Sequence, residues 1–553
     1  MVRAGRRYPS GAAGWVVLAA LAVGALCTAQ AVAAPTVTDQ ANQVLRQNER
    51  NAERAGAGNQ PPAGGVVVAP AQRAELPPAG GPMFRLKSVT FEPPSAFLSQ
   101  AELDAITSKY IGQMVDFRQI SALVRDVNDL YAKKGVVTAG AVLPPQNLKS
   151  GELKVQLVEG REGKVAIVGT HVTKDDVFLK AVRLTRDGDI VDVPTASQDI
   201  ARFNKTHHAQ LSLLLQPGAT FGLTDLTLGV REPPPNIVQL SVDDYGANST
   251  GAIEASALYQ RYGLLGIDDQ MMFLATAAQG SLAGTANFDM PIGNLGTRLA
   301  LGATASTIKV IAGPTLPLDI TGNSKAVTAT LTQALYTGVN LSVIGLATLS
   351  YGTSQSFAAG TPLVDTSTTK GAIGAALSYA NDKISIDAQP EVIFARSDDN
   401  LFSTQRDITL FAGNGDVTIP LGNSFSIQSR GAWQYTTEQL LPGDLLFQIG
   451  GHDTVRGYSS DGVAGDTGFF VQNELHWSGS GKTQGLDLYG LLDVGQVHST
   501  FPATTTLASL GAGWTYQWPN NSSLDVSAAV PLLPAIAGQP SLGVYAKLTG
   551  SFQ

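Results

Sequence analysis

The chain has 553 residues, of which 44% are hydrophobic and only 15% charged, and its formal net charge is −8. This length exceeds what one hydrophobic core normally serves, so several domains are expected. An acidic chain is a poor candidate for nucleic-acid binding, because phosphate backbones attract basic surfaces. The single cysteine, Cys27, lies within an N-terminal segment that is predicted to be removed, which excludes disulfide bonds and thiol chemistry from the mature protein.

The N-terminus has the pattern of an export signal. Three arginines among the first seven residues precede an apolar run from Trp15 to Leu26, which is too short to span a bilayer, and Ala31-Val32-Ala33 matches the A-x-A cleavage pattern. We therefore predict a signal peptide over residues 1–33, with Ala31 and Ala33 at the cleavage site. No later run of about 18 apolar residues is found, so the sequence offers no transmembrane helix.

Residues 34–55 predict a polar helix that would need a partner to be stable. Acidic and basic side chains are interspersed along it and few of its residues are apolar, so it cannot bury a face on its own. A solvated tail is the alternative that composition leaves open. Residues 56–82 are rich in Gly, Pro and Ala and predict a flexible linker.

Two compact α/β units follow, over residues 83–160 and 161–235. In the first, Ser99 and Glu102 have the spacing of a capping box, and the apolar residues after Asp116 recur at helical spacing. Alternating segments before and after these helices predict strands, which gives the order β-α-α-β-β. The second unit repeats this order more weakly.

From residue 236 to residue 553 the hydrophobic pattern changes to a period of two. Val238, Leu240 and Val242, for example, share one face of a predicted strand, while polar residues occupy the other. Polar or Gly-rich separators divide such runs, as at Ala358 to Thr369, and the region has room for roughly 12 to 18 membrane strands. A soluble β-sandwich or solenoid would alternate as well. The export signal, the low charge content and the 59 glycines favour a membrane β-barrel.

Six stretches of the mature chain carry dense runs of specific residues, in the order AGAVLPPQNLKSGELKVQLVEG, LQPGATFGLTDL, VDDYGANSTG, GGHDTVRGY, GDTGFFVQNELHW and LYGLLDVGQV. The first two close the α/β units, and the other four lie in the alternating region. Together they resemble the outer-membrane translocators of two-partner secretion, the haemolysin-activator and filamentous-haemagglutinin transporter family. In GGHDTVRGY, Thr454 stands where serine is commoner in that family.

The resemblance implies an architecture for the whole chain. Its parts are a signal peptide (1–33), an N-terminal plug helix (34–55), a linker (56–82), two periplasmic POTRA domains (83–160 and 161–235) and a transmembrane antiparallel β-barrel of 16 strands (236–553). It implies a location in the outer membrane of a Gram-negative bacterium. The implied function is type V, two-partner secretion without ATP, in which the POTRA domains capture an unfolded exoprotein, which the protein secretes and in some members activates, and the barrel forms the pore.

Four residues, Val455, Arg456, Gly457 and Tyr458, stand in the family's signature of the sixth extracellular loop. An arginine in a loop is usually only solvated, so this tetrapeptide is a weak signal by itself. By resemblance, the loop folds into the barrel as a gating element. There Arg456 reaches a carboxylate of the inner wall, Gly457 permits a tight turn and Tyr458 wedges it.

Asp493 is the matching carboxylate. In the predicted strand from Leu486 to Val494 the leucines share one face, so Asp493 falls on the other face, which in a barrel is the lumen. An ordinary lumen carboxylate is the plainer interpretation of Asp493. Glu474, in the stretch just after the loop, is the rival partner for Arg456.

Two further features concern assembly and chemistry. Phe552 keeps phase with the apolar face of the last predicted strand and resembles the aromatic end that assembly factors read, although Gln553 follows it. The pair His207-His208 invites a metal-site interpretation, but neighbours in one strand point to opposite faces and no further ligand is suitably spaced. No HExxH, G-x-S-x-G or Cys-His pattern is present, so we expect no enzyme activity, no cofactor and no metal.

The implied partners are an unfolded secreted exoprotein, outer-membrane lipid, and the barrel-assembly machinery and periplasmic chaperones for the protein's own insertion. Nucleic acid is not among them. Two rival classes remain at this point. An insertase of the barrel-assembly type shares POTRA domains and the arginine loop but usually carries more than two POTRA domains, and a passive porin needs no periplasmic module.

Overall fold

The computed structural model describes residues 66–68, 80, 82–186, 189–422, 424–499, 504–535 and 539–553. The predicted signal peptide, with Ala31 and Ala33, and the predicted plug helix lie outside these residues. Among the described helices, none is long and apolar enough to cross a membrane.

The first α/β unit is a small sheet covered by two helices. Its sheet has the order β3-β6-β5, in which β3 and β6 are parallel and β5 and β6 antiparallel. Ser99 and Glu102 form the predicted capping box, and Asp116 and Gln119 form a second one. The elements are β2 (Phe84–Arg85), β3 (Ser88–Glu92), α1 (Gln100–Thr107), β4 (Met114–Val115), α2 (Phe117–Lys133), β5 (Ala139–Val142), a 3-10 turn (Leu148–Ser150) and β6 (Glu152–Glu159).

The second unit keeps the β-α-α-β-β order in β7, α3, α4, β10 and β11, and its six-stranded sheet has the order β1-β10-β11-β7-β9-β8. Its edge strand β1 comes from the predicted linker and pairs in parallel with β10. His207 and His208 precede β10 and do not share a strand with each other, contrary to our expectation. The elements are β1 (Val66–Val68), β7 (Arg161–Val168), α3 (Asp175–Ala181), β8 (Thr185–Arg186), β9 (Ile190–Val191), α4 (Val193–Thr206), β10 (Gln210–Pro217) and β11 (Leu223–Arg231).

The remaining strands form a closed antiparallel barrel of 16 strands, which confirms the fold class. Each barrel strand pairs with its neighbour in the chain, and β12 closes the ring by pairing with β29. The strands are β12 (Asn236–Asp243), β13 (Glu254–Tyr262), β14 (Gln270–Ala278), β15 (Ser281–Pro291), β16 (Thr297–Lys309), β17 (Ile320–Thr337), β18 (Leu341–Ala358), β19 (Thr361–Asn381), β20 (Ile384–Asp399), β21 (Thr404–Pro420), β22 (Phe425–Tyr435), β25 (Thr467–Ser478), β26 (Leu486–His498), β27 (Thr505–Gln517), β28 (Ser522–Pro531) and β29 (Gly543–Phe552). Two short strands, β23 (Phe447–Ile449) and β24 (Val463–Gly465), pair with each other in the connection between β22 and β25.

The strands differ in length around the ring. β12 has 8 residues and β19 has 21. The segment Ala358 to Thr369, which we expected to separate two strands, instead belongs almost entirely to β18 and β19, and only Ala359 and Gly360 form the turn between them. Both turn residues have positive φ, 46° and 81°, as tight hairpin turns require.

Alternation assigns the two faces of the barrel wall as predicted. Val238, Leu240 and Val242 on the first strand are exposed on the outer face, as are Val544 and Leu548 on the last. Phe552 lies on this apolar outer face with 60% of its surface exposed. Polar side chains on the opposite face of the same strands point into the lumen.

Candidate functional site: the loop inside the barrel

The connection between β22 and β25, residues 436–466, folds into the lumen. Its strands β23 and β24 form a small hairpin whose tip carries the GGHDTVRGY stretch. Apolar loop residues bury themselves against the inner wall, in a cluster formed by Ile449, Val455, Tyr458, Val463, Phe470, Val497, Leu507 and Ala535. These loop residues are therefore buried against the wall, and this part of the loop does not hang free in the lumen.

Arg456 is the centre of this packing. Its Nε donates to Asp493 Oδ2 and its Nη2 to Asp493 Oδ1, both over 2.7 Å, and its backbone N–H donates to Oδ2 over 3.1 Å. Its Nη1 donates to Glu474 Oε1. Arg456 is 1% exposed and Asp493 is fully buried. The structure thus brings Arg456 against both carboxylates that the sequence nominated, so Asp493 and Glu474 share the guanidinium instead of competing for it.

Gly457 and Tyr458 fix the backbone conformation after Arg456. Gly457 has φ +88°, and a Cβ at this position would lie 3.0 Å from the carbonyl oxygen of Ala529. Its N–H donates to the hydroxyl of Tyr545 over 2.8 Å, and that hydroxyl lies 3.1 Å from the carbonyl oxygen of Tyr458 and donates to it. A glycine is required here both for its backbone conformation and for its lack of a side chain.

The Tyr458 side chain is a buried wedge. Its hydroxyl lies 2.9 Å from the carbonyl oxygen of Ala508 and 3.0 Å from that of Leu533, which are the acceptors for its proton. It therefore ties the loop tip to the wall at β27 and to the connection that follows β28. Val455, the first residue of the signature, is fully buried beside Gly495 of β26.

Two aromatic residues that the sequence analysis did not nominate, Tyr245 and Tyr545, hold the tip from the other side through His452. His452 stacks on Tyr245, with ring centroids 3.6 Å apart and planes 10° apart, and lies 5.5 Å from the ring of Tyr545. Tyr245 follows β12 and Tyr545 belongs to β29, so the loop contacts the first and the last strand of the barrel. Tyr545 alternates with the outward residues Val544 and Ala546, a phase that marks it as inward-facing in the sequence alone.

The segment that leads into the loop is fastened at the end of the barrel far from the α/β units. Leu441 and Leu445 pack on Ala395, Ile408 and Leu410 of β20 and β21. The N–H groups of Leu440 and Leu441 donate to the carboxylate of Asp466, over 3.2 and 2.8 Å. Arg406 donates to the carbonyl oxygens of Gln439 and Leu440, over 2.8 and 2.6 Å. We call residues 436–446 the loop arm.

A second polar cluster joins the second α/β unit to the near end of the barrel. Arg298 donates to Asp268 Oδ2 over 2.7 Å and also bonds Asp289. The N–H of Ala209 donates to Asp268 Oδ1 over 2.9 Å, and His208 Nε2 lies 2.8 Å from Asp289. His207 and His208, the pair that invited a metal-site interpretation, thus belong to this junction. Among the described residues, no group of His, Cys, Asp and Glu could hold a metal ion.

His207 is enclosed in the same junction. Its ring stacks on Phe203 with centroids 3.9 Å apart, and its Nδ1 lies 2.9 Å from the hydroxyl of Thr206. Burial, which disfavours the charged form, lowers the pKa of His207 to about 4. The imidazole is therefore neutral at physiological pH.

A closed barrel of 16 strands whose lumen holds an anchored loop, preceded by a unit of POTRA type, is the architecture of an outer-membrane transporter. The family described as haemolysin secretion/activation protein ShlB/FhaC/HecB matches residues 222–516, and the POTRA domain of ShlB type matches residues 84–160. The chain belongs to this family. It is a two-partner secretion transporter of the outer membrane, with its POTRA region in the periplasm.

Individual relatives agree with this assignment. The chain is 23% identical over 416 residues to the outer membrane transporter CdiB of Dickeya dadantii (strain 3937), covering 72% of this chain and 73% of that one. It is 23% identical over 172 residues to the heme/hemopexin transporter protein HuxB of Haemophilus influenzae (strain 86-028NP), covering 31% of this chain and 30% of that one. The named relatives are transporters.

Solved structures share the fold. CdiB from Escherichia coli superposes with a TM-score of 0.69 at 19% identity, covering 95% of this chain and 100% of that one. BamA from Haemophilus ducreyi, lacking its POTRA domains 1–3, gives 0.51 at 14% identity, covering 85% of this chain and 100% of that one.

Proposed function

We propose that this protein secretes a large exoprotein through the barrel lumen, with the loop of residues 436–466 as the element that closes the passage. The observation that carries the proposal is how the loop is held. It crosses the lumen and is attached to the wall by hydrogen bonds, ion pairs and apolar packing, all of which are reversible. A displaceable segment would keep the passage closed in the absence of substrate and allow it to open when a substrate is present.

Substrate capture is proposed to occur by strand addition in the periplasm. In the second α/β unit, the edge strand β1 pairs in parallel with β10, and this addition of an extended segment to β10 supports the proposal. In the first unit, β3 and β5 are the outer strands of the sheet. An unfolded substrate has unpaired backbone groups that suit such edges, and at β10 it would have to displace Val66–Val68.

The substrate would then enter the lumen beside α4. A cavity of about 510 Å³ with a mixed polar and apolar lining lies between the end of α4 and the periplasmic ends of β18 to β21. Asn204 and Lys205 line it from the α/β unit, and Asp387, Asn414 and Asp416 line it from the barrel. The polar groups of this lining suit the backbone of an unfolded chain, and apolar residues such as Ile344 and Leu377 suit its side chains. At the periplasmic ends of β13 to β16, the junction of Arg298 with Asp268 attaches the α/β unit to the barrel.

The remaining parts of the proposal follow the family. Residues 1–33 are removed, residues 34–55 plug the pore at rest, residues 56–82 link them to POTRA domains at 83–160 and 161–235, and the barrel spans 236–553. Folding of the exoprotein outside the cell supplies direction without ATP. Phe552 is proposed to be read by the barrel-assembly machinery, after periplasmic chaperones deliver the chain.

The test combines conduction and secretion. The purified protein is recorded in planar lipid bilayers, as wild type and without residues 34–55, and the gene beside its own is tested for a large secreted product that depends on it. We expect a larger or steadier conductance after the deletion and loss of secretion when the transporter is absent. A protein that conducts in neither form, or a neighbour secreted equally well without it, would contradict the proposal and favour an insertase.

A further inference from the structure

His476 binds two carboxylates at once. Its Nε2 lies 2.9 Å from Glu474 Oε2 and its Nδ1 lies 2.5 Å from Asp487 Oδ1. The imidazole is mostly buried in the lumen wall, and it lies outside the loop signature Val455 to Tyr458. Its position on β25, two residues from Glu474, places it on the same inner face.

The hydrogen-bond donors and acceptors around this ring determine its protonation state. A neutral imidazole has one N–H and one lone pair, and an ionised carboxylate only accepts. Two carboxylates at the two ring nitrogens are therefore both satisfied only by the doubly protonated, positively charged ring. If the ring loses one proton, one nitrogen turns a lone pair toward a carboxylate, which is repulsive.

The contacts of Glu474 connect this ring to the loop. Glu474 Oε1 accepts from Arg456 and Glu474 Oε2 accepts from His476, so its two oxygens are divided between two cations. On the other side, Asp487 bonds Ser478 over 2.7 Å at the periplasmic end of β25. A continuous series of polar contacts therefore runs from the loop tip at Arg456, through Glu474, His476 and Asp487, to the periplasmic rim.

We propose that His476, as an imidazolium, is a positioning residue that holds Glu474 against Arg456 and makes the anchoring of the loop depend on pH and charge at the periplasmic mouth. This inference rests on the proposed role of the loop as the closing element. Under this inference, conditions on the periplasmic side influence an ion pair that lies deep in the lumen. A cationic segment of an entering substrate that competes for Asp487 or Glu474 would act in the same direction as loss of the proton.

Other groups face His476 as well. Tyr489 of β26 lies with its ring centroid 5.2 Å away and bonds Asp525 of β28. On β22, the register partners of His476 and Glu474 are the uncharged Ser426 and Gln428. Arg430 of β22 bonds Gln472 over 2.6 Å, one step closer to the loop. Between pH 5.5 and 9, His476 is the group in this set whose ordinary pKa, about 6.5, lies in the range.

The direction of the pH effect follows from the hydrogen bonds of the imidazole. Below the imidazole pKa both carboxylates are bonded and the loop is held, whereas at higher pH the proton is lost and Glu474 is released from one of its two cations. Openings of wild-type channels should therefore become more frequent as the periplasmic side is taken from about pH 5.5 to about pH 9. We expect a change on the order of tenfold, the factor that loss of one charge-assisted hydrogen bond typically produces.

Three variants give the test its controls. His476→Arg keeps a permanent cation and should stay closed at every pH, with His476→Lys as the second choice if the larger guanidinium prevents folding. His476→Gln should open at every pH as wild type does at high pH. Heat-modifiable gel mobility confirms that each variant is a folded barrel. An unchanged pH profile in His476→Arg or His476→Gln would overturn the inference.

Loop movement is measured separately from conduction. Because the only cysteine, Cys27, lies in the predicted signal peptide, Ser459→Cys would introduce a unique thiol at the loop tip. Its rate of labelling reports release of the loop whether or not ions pass. Labelling that follows pH and His476 while conductance does not would keep His476 as a positioning residue and refute the loop as the closing element. Labelling that ignores both would refute the inference itself.

Discussion

Arg456 and Asp493 form a two-pronged ion pair from which water is excluded. Both oxygens of Asp493 accept from the guanidinium over 2.7 Å, and one also accepts the backbone N–H of Arg456. Such a fork matches the geometry of a carboxylate, which a lysine cannot reproduce. Removing one partner leaves the other charge buried and uncompensated, which costs roughly 3–5 kcal/mol.

This relationship predicts strong coupling between the two positions. Arg456→Ala should abolish most secretion while the barrel still inserts, because the loop loses its anchor. The free energy of loop release, obtained from opening equilibria, is compared for Arg456→Ala, Asp493→Ala and the double variant. The double variant should be less impaired than the sum of the two single ones, by about 1–3 kcal/mol. Strict additivity, or normal secretion by Arg456→Ala, would contradict the anchor.

Tyr545→Phe should loosen the loop tip while leaving the ring packing in place. Without the hydroxyl, the buried N–H of Gly457 has lost its acceptor, and an unsatisfied buried donor costs about 1–3 kcal/mol. We expect more frequent openings in single-channel recordings. The matched control is Tyr351→Phe, a half-exposed tyrosine on the outer face of β18, which should behave as wild type.

Gly457→Ala should release the loop more severely than the addition of one methyl group suggests. The new methyl group would sit at positive φ and 3.0 Å from the carbonyl oxygen of Ala529, so the chain must move. Gly481→Ala, in a periplasmic turn with φ +61° and no atom within 4 Å of the added Cβ, separates the conformational cost from the clash. Secretion should fall in the first variant and persist in the second. Equal secretion by both would show that space at Gly457 is not limiting.

Arg406→Ala should free the loop arm and leave the tip anchored. Arg406 holds the carbonyl oxygens of Gln439 and Leu440 at the exposed end of the barrel, whereas the tip depends on buried groups. We expect brief, partial openings and faster protease cleavage near Leu440, with Ser459→Cys labelling unchanged. The exposed pair of Arg396 and Asp407 nearby offers the control Arg396→Ala, which should alter neither measurement. Faster labelling of the tip in Arg406→Ala would mean that arm and tip move together.

The junction between the second α/β unit and the barrel should weaken in acid. The pKa of His207 is lowered by burial from 6.5 to about 4, so its stabilising effect is complete above about pH 6.5 and is lost as the pH falls toward 4. At full protonation the loss is roughly 3 kcal/mol. The protection factors of the α4 amides, which correct for the pH dependence of intrinsic exchange, should fall at pH 4.5 relative to pH 7.5. His207→Phe keeps the stack on Phe203 without a titrating group, and its exchange should lack this additional acid sensitivity.

The barrel was predictable because a period of two marks the outer face of every strand directly. The same logic placed Asp493 in the lumen, and resemblance supplied its partner. Ala358 to Thr369 was misjudged for a physical reason: the threonines and the serine there suit strands that continue beyond the bilayer, where neither face must be apolar. Polarity alone cannot distinguish such strands from loops.

The contacts that sequence did not reveal join residues far apart in the chain. Tyr545 reaches Gly457 across 88 positions, and Tyr245 meets His452 from the opposite end of the barrel sequence. The strand Val66–Val68 was hidden in a segment whose composition predicts flexibility, because its pairing depends on an edge supplied by β10. Local pattern carries no information about such partners.

The closure of the barrel between β12 and β29 rests on six residue pairs, whereas β17 and β18 share seventeen. The loop tip touches residues on both sides of this short join, through Tyr245 and Tyr545. The segment that we propose to close the passage therefore also makes contacts across the shortest pairing in the wall. A full withdrawal of the loop would widen the lumen and at the same time reduce the resistance of the cylinder to splitting along its length. The strength of the barrel wall at this join is thus coupled to the position of the loop.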